Sequence, residues 1–147
     1  MGAVTDQELL ARFREVLKAA GAKLTPQRLA VLAEVARSTA HPDAETVYRS
    51  VKQRLPSISL DTVYRTLWLL TDLGLIATLG PHRGRARFDG NTMPHHHFIC
   101  LKCGRAEDFY SPEFDQLGVP AGVRALGAVQ STHVEFRGLC KHCAALE

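Results

Sequence analysis

The chain has 147 residues, 46% of them hydrophobic and 22% charged, and its formal net charge is +3. This length allows one ordinary domain or two small ones. No apolar run is long enough to cross a membrane, and residues 1–17 follow an amphipathic pattern that differs from a signal peptide. We therefore expect a soluble, cytoplasmic protein with no membrane partner.

Charged residues and residues of metal-binding types are unevenly distributed along the chain. Residues 1–90 carry a balance of +4, whereas residues 91–147 carry −1. All four cysteines and five of the seven histidines lie between residues 95 and 143. The sequence therefore predicts a mildly basic domain over residues 1–90, followed by a ligand-rich domain over residues 91–147.

Apolar residues recur at helical spacing in four segments of the basic part. The first helix ends at Gly21, and the second begins after Thr25 as its N-cap. The third begins near Asp43, and the fourth occupies residues 59–74. Four helices in this order are typical of a helical DNA-binding domain.

A basic hairpin follows the helices. Residues 75–79 (LIATL) and 85–89 (RARFD) read as two strands joined by a turn at residues 80–84. Helices followed by such a hairpin indicate a winged helix, whose last helix enters the major groove of double-stranded DNA while the wing lies along the backbone or the minor groove. Solvated surface charge is the alternative for each arginine, and a half-buried core position is the alternative for Tyr64. The residues that we expect to contact DNA are Arg28, Thr62, Tyr64, Arg65, Arg83, Arg85 and Arg87.

The second part contains three candidate strands, HHFIC (96–100), AEDFY (106–110) and QSTHVEFRGLC (130–140). Between the last two, glycine and proline interrupt a weak helical pattern. Two CxxC pairs, separated by 36 residues, stand at strand ends. In a reducing compartment this spacing predicts a structural Zn(II) site formed by Cys100, Cys103, Cys140 and Cys143, and four buried free thiols are the alternative. Because the surrounding core is small, the metal should contribute to folding.

Three consecutive histidines precede the first CxxC pair. Strand alternation places His95 and His97 on one face and His96 on the other. A pair at this spacing is able to bind one ion, and Asp108 in the neighbouring strand would supply an oxygen ligand. Exposed polar surface is the alternative for a histidine run of this kind.

Taken together, these motifs resemble the ferric uptake regulator (Fur) family over nearly the whole chain. The resemblance rests on LTPQR (24–28), HPDAETVY (41–48), SLDTVYRTLWLLTDLGLI (59–76), RFD (87–89), HHHFICLKCG (95–104) and CKHC (140–143). It implies an α+β fold with a winged-helix domain, then a small α/β dimerisation domain. It also implies a homodimeric, metal-responsive DNA-binding regulator, in most cases a repressor, and not an enzyme.

The resemblance also assigns a regulatory metal site position by position. Its ligands fall on His41, Asp89, His95, His97 and Asp108. Three imidazoles and two carboxylates suit Fe(II), Mn(II) or Zn(II), and we expect Fe(II) or Mn(II). Because His41 lies in the basic part and three ligands lie in the second part, one ion would connect the two parts.

The resemblance favours the peroxide-sensing (PerR) branch of the family, because position 108 is aspartate instead of the glutamate usual in iron-uptake regulators. It then implies that bound iron and peroxide oxidise a ligand histidine, His41 or His95, and that the operator is released. The alternatives are an iron-uptake regulator and, less favoured, a zinc-uptake regulator. His96, Asp115 and His133 are left without an assigned ligand set.

A non-haem iron oxygenase is the alternative from another class, because two histidines and one carboxylate also describe an oxygenase site. Too few strands are predicted for the usual oxygenase barrel, and the expected ligands are spread over two domains. The sequence therefore favours a regulator.

Overall fold

The computed structural model describes residues 5–82 and 85–146, so Arg83, one of the expected DNA contacts, lies outside the described residues. The chain divides into two compact units, the first ending at Thr92 and the second beginning at Met93. We refer to them as unit 1 and unit 2. Among the helices of the described residues, none combines the length and the apolar character needed to cross a bilayer.

Unit 1 confirms the four predicted helices. They are α1 (Asp6–Ala19), α2 (Pro26–Arg37), α3 (Ala44–Arg54) and α4 (Leu60–Asp72). Each begins after a polar N-cap whose side chain accepts a hydrogen bond from a backbone N–H three residues on, and these caps are Thr5, Thr25, Asp43 and Ser59. The caps satisfy N–H groups that the helix itself leaves without partners.

The hairpin consists of β1 (Ala77–His82) and β2 (Arg85–Asp89), which pair antiparallel with Ala77 opposite Asp89. The prediction for β2 is confirmed, but the prediction for β1 is shifted by two residues. Leu75 and Ile76 are buried at the end of α4, and both of their N–H groups donate to the Leu70 carbonyl. The helical turn therefore uses the residues that were expected to begin the strand. Helices followed by this hairpin form the winged helix.

The core of unit 1 lies between the helices and the inner face of the hairpin. Its largest fully buried members are Phe13, Leu17, Leu32, Leu67, Leu70, Leu75 and Phe88. Burying an apolar side chain of this size contributes about 1.5–3 kcal/mol relative to exposure. Unit 1 therefore has a hydrophobic core sufficient to organise its own fold.

Gly90 follows β2 directly and packs against the backbone of α2. A Cβ atom at this position would lie 2.7 Å from the Ala36 Cα and 2.8 Å from the Val35 carbonyl oxygen. Both atoms belong to the backbone and are unable to give way as a side chain would. Position 90 therefore requires glycine because of this close approach.

Unit 2 is built on a three-stranded sheet in the order β4-β3-β5. Its strands are β3 (His96–Cys100), β4 (Ala106–Phe109) and β5 (Glu135–Gly138), with short helices α5 (Pro112–Asp115), α6 (Ala121–Arg124) and α7 (Lys141–Ala145). β3 pairs antiparallel with β4 and parallel with β5. The interrupted helix predicted between β4 and β5 is observed as α5 and α6.

Two features of unit 2 differ from the sequence prediction. The last strand begins at Glu135, not at residue 130, because its partner β3 begins at His96 and pairing starts with His97 opposite Glu135. The short helix α7 was not predicted. It begins after Cys140, whose sulfur accepts a hydrogen bond from the Cys143 N–H.

Candidate metal centres and nucleic-acid interface

Four cysteines of unit 2 converge on one point. Their sulfur atoms all lie within 4.8 Å of one another, and Cys103 Sγ is 3.9 Å from Cys140 Sγ. Tetrahedral Zn–S bonds of about 2.3 Å place sulfur atoms about 3.8 Å apart. The four thiols therefore fit a zinc ion in donor type, number and spacing. Cys100 ends β3 and Cys103 lies in the turn that follows, whereas Cys140 and Cys143 lie at the start of α7.

The environment shifts the pKa values of two of these thiols in opposite directions. Backbone N–H groups of Cys103 and Cys140 lower the pKa of the Cys100 thiol to about 5. Burial, together with hydrogen bonds to the other sulfur atoms, raises the pKa of Cys143 to about 12. The two shifts therefore lie in opposite directions, and repulsion from the charge of Cys100 adds to the rise at Cys143.

A second ligand group in unit 2 involves two of the three consecutive histidines. His95 Nε2 lies 3.0 Å from His97 Nε2, and the carboxylate oxygen of Asp108 lies 3.7 Å from the first and 3.2 Å from the second. The strand register explains this meeting, because His97 and Asp108 are directly paired across β3 and β4. The predicted association of these three residues is therefore present within unit 2.

Hydrogen bonding orients the His95 ring toward this group. Its Nδ1 lies 2.6 Å from the Met93 carbonyl oxygen, which only accepts, so Nδ1 carries the proton. The neutral ring then keeps its lone pair on Nε2, the atom that faces His97 and Asp108. This tautomer is the one that binds a metal through Nε2.

Unit 1 contains the remaining two predicted ligands as a pair of their own. His41 Nε2 lies 3.6 Å from Asp89 Oδ2, and the two side chains are only 3% and 5% exposed. His41 has φ 52°, the only positive φ at a residue other than glycine in the described part of the chain. Left-handed backbone at such a residue costs about 1–3 kcal/mol and is typical of functional positions.

The middle histidine has a different environment. The Val134 N–H donates to His96 Nδ1 at 3.0 Å, and His96 Nε2 lies 2.8 Å from Asp115 Oδ1. Because Nδ1 accepts, Nε2 donates to the carboxylate, and both ring nitrogens are engaged. His96 thus joins β3 to α5. His133 is exposed and its ring centroid lies 6.4 Å from that of His97.

The wing arginines differ in their contacts. Arg85 is exposed and lies 3.5 Å from the Asp43 carboxylate and 3.3 Å from that of Glu45. Arg87 is half-buried, and its guanidinium donates to the carbonyl oxygens of Ala40 and His41, each at 2.8 Å. Burial lowers the pKa of Arg87, while Asp43 raises it. The guanidinium of Arg87 is therefore bonded to its own chain, a contact that the sequence did not predict, and its phosphate contact stays a prediction.

The expected recognition surface lies where α2 begins beside α4. An open groove of about 200 Å³ is lined there by Arg28, Thr62 and Arg65, with Thr25, Gln27, Thr66 and Leu69. Arg65 is 81% exposed and pairs with Asp61 one turn earlier at 2.9 Å. Arg28 donates to the Lys23 carbonyl, and Tyr64 is exposed. Among the described residues predicted to contact DNA, Tyr64, Arg65 and Arg85 are exposed, and Arg28, Thr62 and Arg87 are half-buried.

A family profile, related proteins and solved structures were compared with this chain, and all three lead to one family. The profile of the ferric uptake regulator family matches residues 19–122. The peroxide-responsive repressor PerR of Staphylococcus epidermidis is 35% identical over 86% of this chain and 85% of its own length. The peroxide operon regulator of Bacillus subtilis is 35% identical over 90% of this chain and 92% of its own.

Solved structures lead to the same family. The ferric uptake regulator Fur of Helicobacter pylori, described as having three functional metal-binding sites, aligns with a TM-score of 0.79 at 26% identity, covering 98% of this chain and 97% of that one. The Campylobacter jejuni peroxide stress regulator aligns with a TM-score of 0.66 at 29% identity, covering 92% and 99%. With its winged helix, its four-thiol cluster and a family profile that matches most of its length, this chain belongs to the ferric uptake regulator family.

Proposed function

We propose that this protein is a metal-dependent transcriptional repressor that senses peroxide. The observation that carries the proposal is the convergence of His95, His97 and Asp108 in unit 2 of a Fur-family chain. Aspartate stands where the resemblance to iron-uptake regulators would favour glutamate. The relatives named as peroxide-responsive repressors, 35% identical over most of the chain, support this branch.

In this proposal the regulatory ion would draw ligands from both units. His41 and Asp89 would supply one imidazole and one carboxylate from unit 1, and His95, His97 and Asp108 would complete the set from unit 2. An ion bound by both groups stabilises the arrangement in which they meet, because it binds that state with more ligands than any other. DNA binding then depends on metal through the position of the winged helix.

Bound Fe(II) supplies one-electron chemistry toward peroxide, and Mn(II) supplies it far less readily. His41 and His95 would hold the ion through their imidazoles, so these rings would be the ones exposed to that oxidation. An oxidised imidazole would be a poor ligand, so the ion would be lost and the operator released. The Met93 carbonyl contributes by keeping His95 Nε2 available as the ligand atom.

The four-cysteine site has a separate, structural task. Zn(II) held by Cys100, Cys103, Cys140 and Cys143 would connect the end of β3 with α7. Four thiolates leave no open position for a substrate or for water. We therefore assign stability to this ion and regulation to the other.

The protein acts as a homodimer in this proposal. Unit 2 exposes several large apolar side chains, among them Leu117, Leu126, Phe136 and Leu139. Phe136 also lies against Phe109 and Phe114, with ring centroids 5.7 and 5.9 Å apart. A second copy that covers this surface removes it from water, and it supplies two copies of α4 for half-sites about 34 Å apart along the duplex.

The experiment compares Fe(II)-loaded and Mn(II)-loaded protein on operator DNA before and after a brief, low dose of peroxide. We expect the Fe(II) form to leave the DNA and to gain oxygen on peptides containing His41 or His95. The Mn(II) form should stay bound and unmodified. Fe(II)-loaded protein that stays unmodified and bound would exclude peroxide sensing.

An iron-uptake regulator is the second candidate. The overall similarity to the Fur structure of Helicobacter pylori, with a TM-score of 0.79, favours it. In that case the same five ligands measure Fe(II) concentration, and peroxide leaves DNA binding intact. The two candidates therefore predict opposite results in the peroxide experiment while sharing the metal dependence.

A further inference from the structure

Alternate residues of β2 contact one segment of unit 1, the chain from Ala40 to Glu45. Along the strand, Phe88 lies in the hydrophobic core, and residues 85, 87 and 89 point to the opposite face. Arg85 pairs with carboxylates of the segment, Arg87 with its carbonyl oxygens, and Asp89 with the His41 ring. Residues 85, 87 and 89 of the strand therefore all contact this segment.

Arg87 makes the contact closest to the expected metal ligand. Its Nε donates to the His41 carbonyl and a terminal nitrogen donates to the Ala40 carbonyl, both at 2.8 Å. A guanidinium is suited to this task because its N–H groups diverge in one rigid plane. Two successive carbonyl oxygens are thereby held by one side chain.

The backbone conformation at His41 explains why such a contact is needed. With φ 52°, His41 adopts a left-handed conformation that an L-residue leaves readily unless its neighbours restrain it. This conformation is the one in which its buried Nε2 faces the Asp89 carboxylate at 3.6 Å. Further restraint comes from the Phe88 N–H, which donates to the Pro42 carbonyl at 3.0 Å.

From these contacts we propose that Arg87 is a positioning residue for the regulatory metal. It fixes the main chain of His41 so that the imidazole is held beside Asp89 before an ion arrives. The inference rests on the proposed function, because it requires His41 to be a ligand. On this inference Arg87 does not contact phosphate, and Arg85 on the same strand is the residue that does.

The test uses zinc-loaded protein whose regulatory site is filled with Co(II), whose visible spectrum reports the ligands. His41→Ala defines the spectrum of a site without this imidazole. We expect Arg87→Ala to approach that spectrum and to weaken Mn(II) binding by about ten-fold or more, as loss of a ligand's supporting contact does. Arg85→Ala is the matched control and should keep the wild-type spectrum and affinity.

A second measurement, DNA binding without Mn(II), should show the reverse pattern, with a change in Arg85→Ala and none in Arg87→Ala. Arg85→Ala should reduce the salt dependence of binding to random duplex by roughly one unit, because one phosphate contact is lost. Arg87→Ala should leave the salt dependence unchanged. A wild-type Co(II) spectrum combined with a reduced salt slope in Arg87→Ala would overturn the inference and restore the phosphate contact.

Two outcomes distinguish a failure of this inference from a failure of the proposed function on which it rests. If His41→Ala keeps the wild-type spectrum, His41 is not a ligand, and the proposed ligand set fails together with the role of Arg87. If only Arg87→Ala keeps that spectrum, the ligand set stands and the positioning role fails. Should Arg87→Ala lose its zinc or its fold, Arg87→Lys decides, because lysine keeps the charge without the two-carbonyl fork; unchanged Mn(II) affinity there would refute the role.

Discussion

Unit 1 and unit 2 are stabilised in different ways. Buried apolar side chains of four helices and a hairpin form the core of unit 1. In unit 2, the buried residues described include two cysteines and two histidines beside Ile99 and Ala106, while several large apolar side chains are exposed. Unit 1 therefore folds around hydrophobic contacts, whereas for unit 2 we propose that a metal ion and a partner surface supply the stabilisation that its small apolar core does not.

This difference suits a protein whose response is carried by metal. A unit with a complete apolar core keeps its DNA-binding surface whatever ion is present. A unit with few apolar contacts responds strongly to ligation, because each bound ion is a large part of its folding free energy. Four substitutions test this comparison, in order of decreasing expected effect on stability.

The largest effect should come from Cys103→Ser. Loss of one thiolate should release zinc, and apparent binding free energies of about 10–16 kcal/mol for structural zinc exceed the stability expected of so small a core. We expect unit 2 to unfold and the dimer to dissociate, which circular dichroism, zinc analysis and sedimentation would show. A folded, zinc-free dimer would contradict the structural assignment.

Leu67→Ala should have the next largest effect and should act on unit 1. Leu67 is fully buried on α4, so its truncation should cost about 2–5 kcal/mol. Urea unfolding followed by Trp68, the only tryptophan, reports unit 1, because its ring lies 5.6 Å from Phe88. Zinc content should not change. The control is Leu126→Ala in unit 2, where the side chain is 87% exposed and the cost should be within about 0.5 kcal/mol.

Asp108→Glu should change chemistry more than stability. Glutamate keeps the charge and the ligand count but reaches one methylene farther, so it is able to occupy the position that peroxide needs. We expect metal-dependent DNA binding to remain and most peroxide sensitivity to be lost. Intact-mass analysis of Fe(II)-loaded protein would measure the oxygen gained. Unchanged oxidation in Asp108→Glu would show that this carboxylate does not control access.

The smallest effect should come from Asp43→Asn. Burial alone raises the pKa of Asp43, but hydrogen bonds from Thr46 and the Arg85 guanidinium outweigh it and lower the pKa. The carboxylate therefore stabilises unit 1 above its unfolded pKa, and this contribution is lost as the pH falls through the folded value. Asparagine still caps α3, so the expected cost is about 0.2–1 kcal/mol at pH 7.

Urea unfolding of unit 1 between pH 7 and pH 3, followed by Trp68, measures this difference. The difference between the variant and the wild type should shrink as the pH falls below the unfolded pKa of Asp43 toward its lower folded pKa. A difference that stays constant over this range would show that Asp43 acts through something other than its charge.

Much of the fold was accessible from sequence because local signals determine it. Apolar periodicity locates the four helices, with polar residues at the starts of the last three, and paired CxxC motifs locate the four cysteines that cluster, since both signals depend on residues close in the chain. The extent of β5 depends instead on where its partner strand begins. Likewise, α7 begins at a cysteine whose sulfur acts as the cap, which propensity alone does not reveal.

The same distinction between local signals and long-range contacts applies to the candidate sites. Alternation in HHH placed His95 and His97 on one face with Asp108 as a possible partner, but exposed polar surface stayed the alternative until the resemblance to the Fur family assigned the three residues together. The hydrogen bonds of Arg87 were not predicted, because its acceptors lie more than forty residues earlier in the chain. In the same way, the hydrogen bond of His96 to Asp115 spans nineteen residues and depends on the placement of α5.

The close packing of Gly90 sets the length of the tether between the two ligand groups. Residues up to Gly90 are fixed to unit 1, so five residue steps remain before His95, a span of at most about 18 Å. On the proposed ligand set, so short a tether would make the second ligand group available to a bound ion at an effective concentration of about millimolar or higher. Lengthening the chain between residues 91 and 94 should then weaken metal binding without altering any ligand.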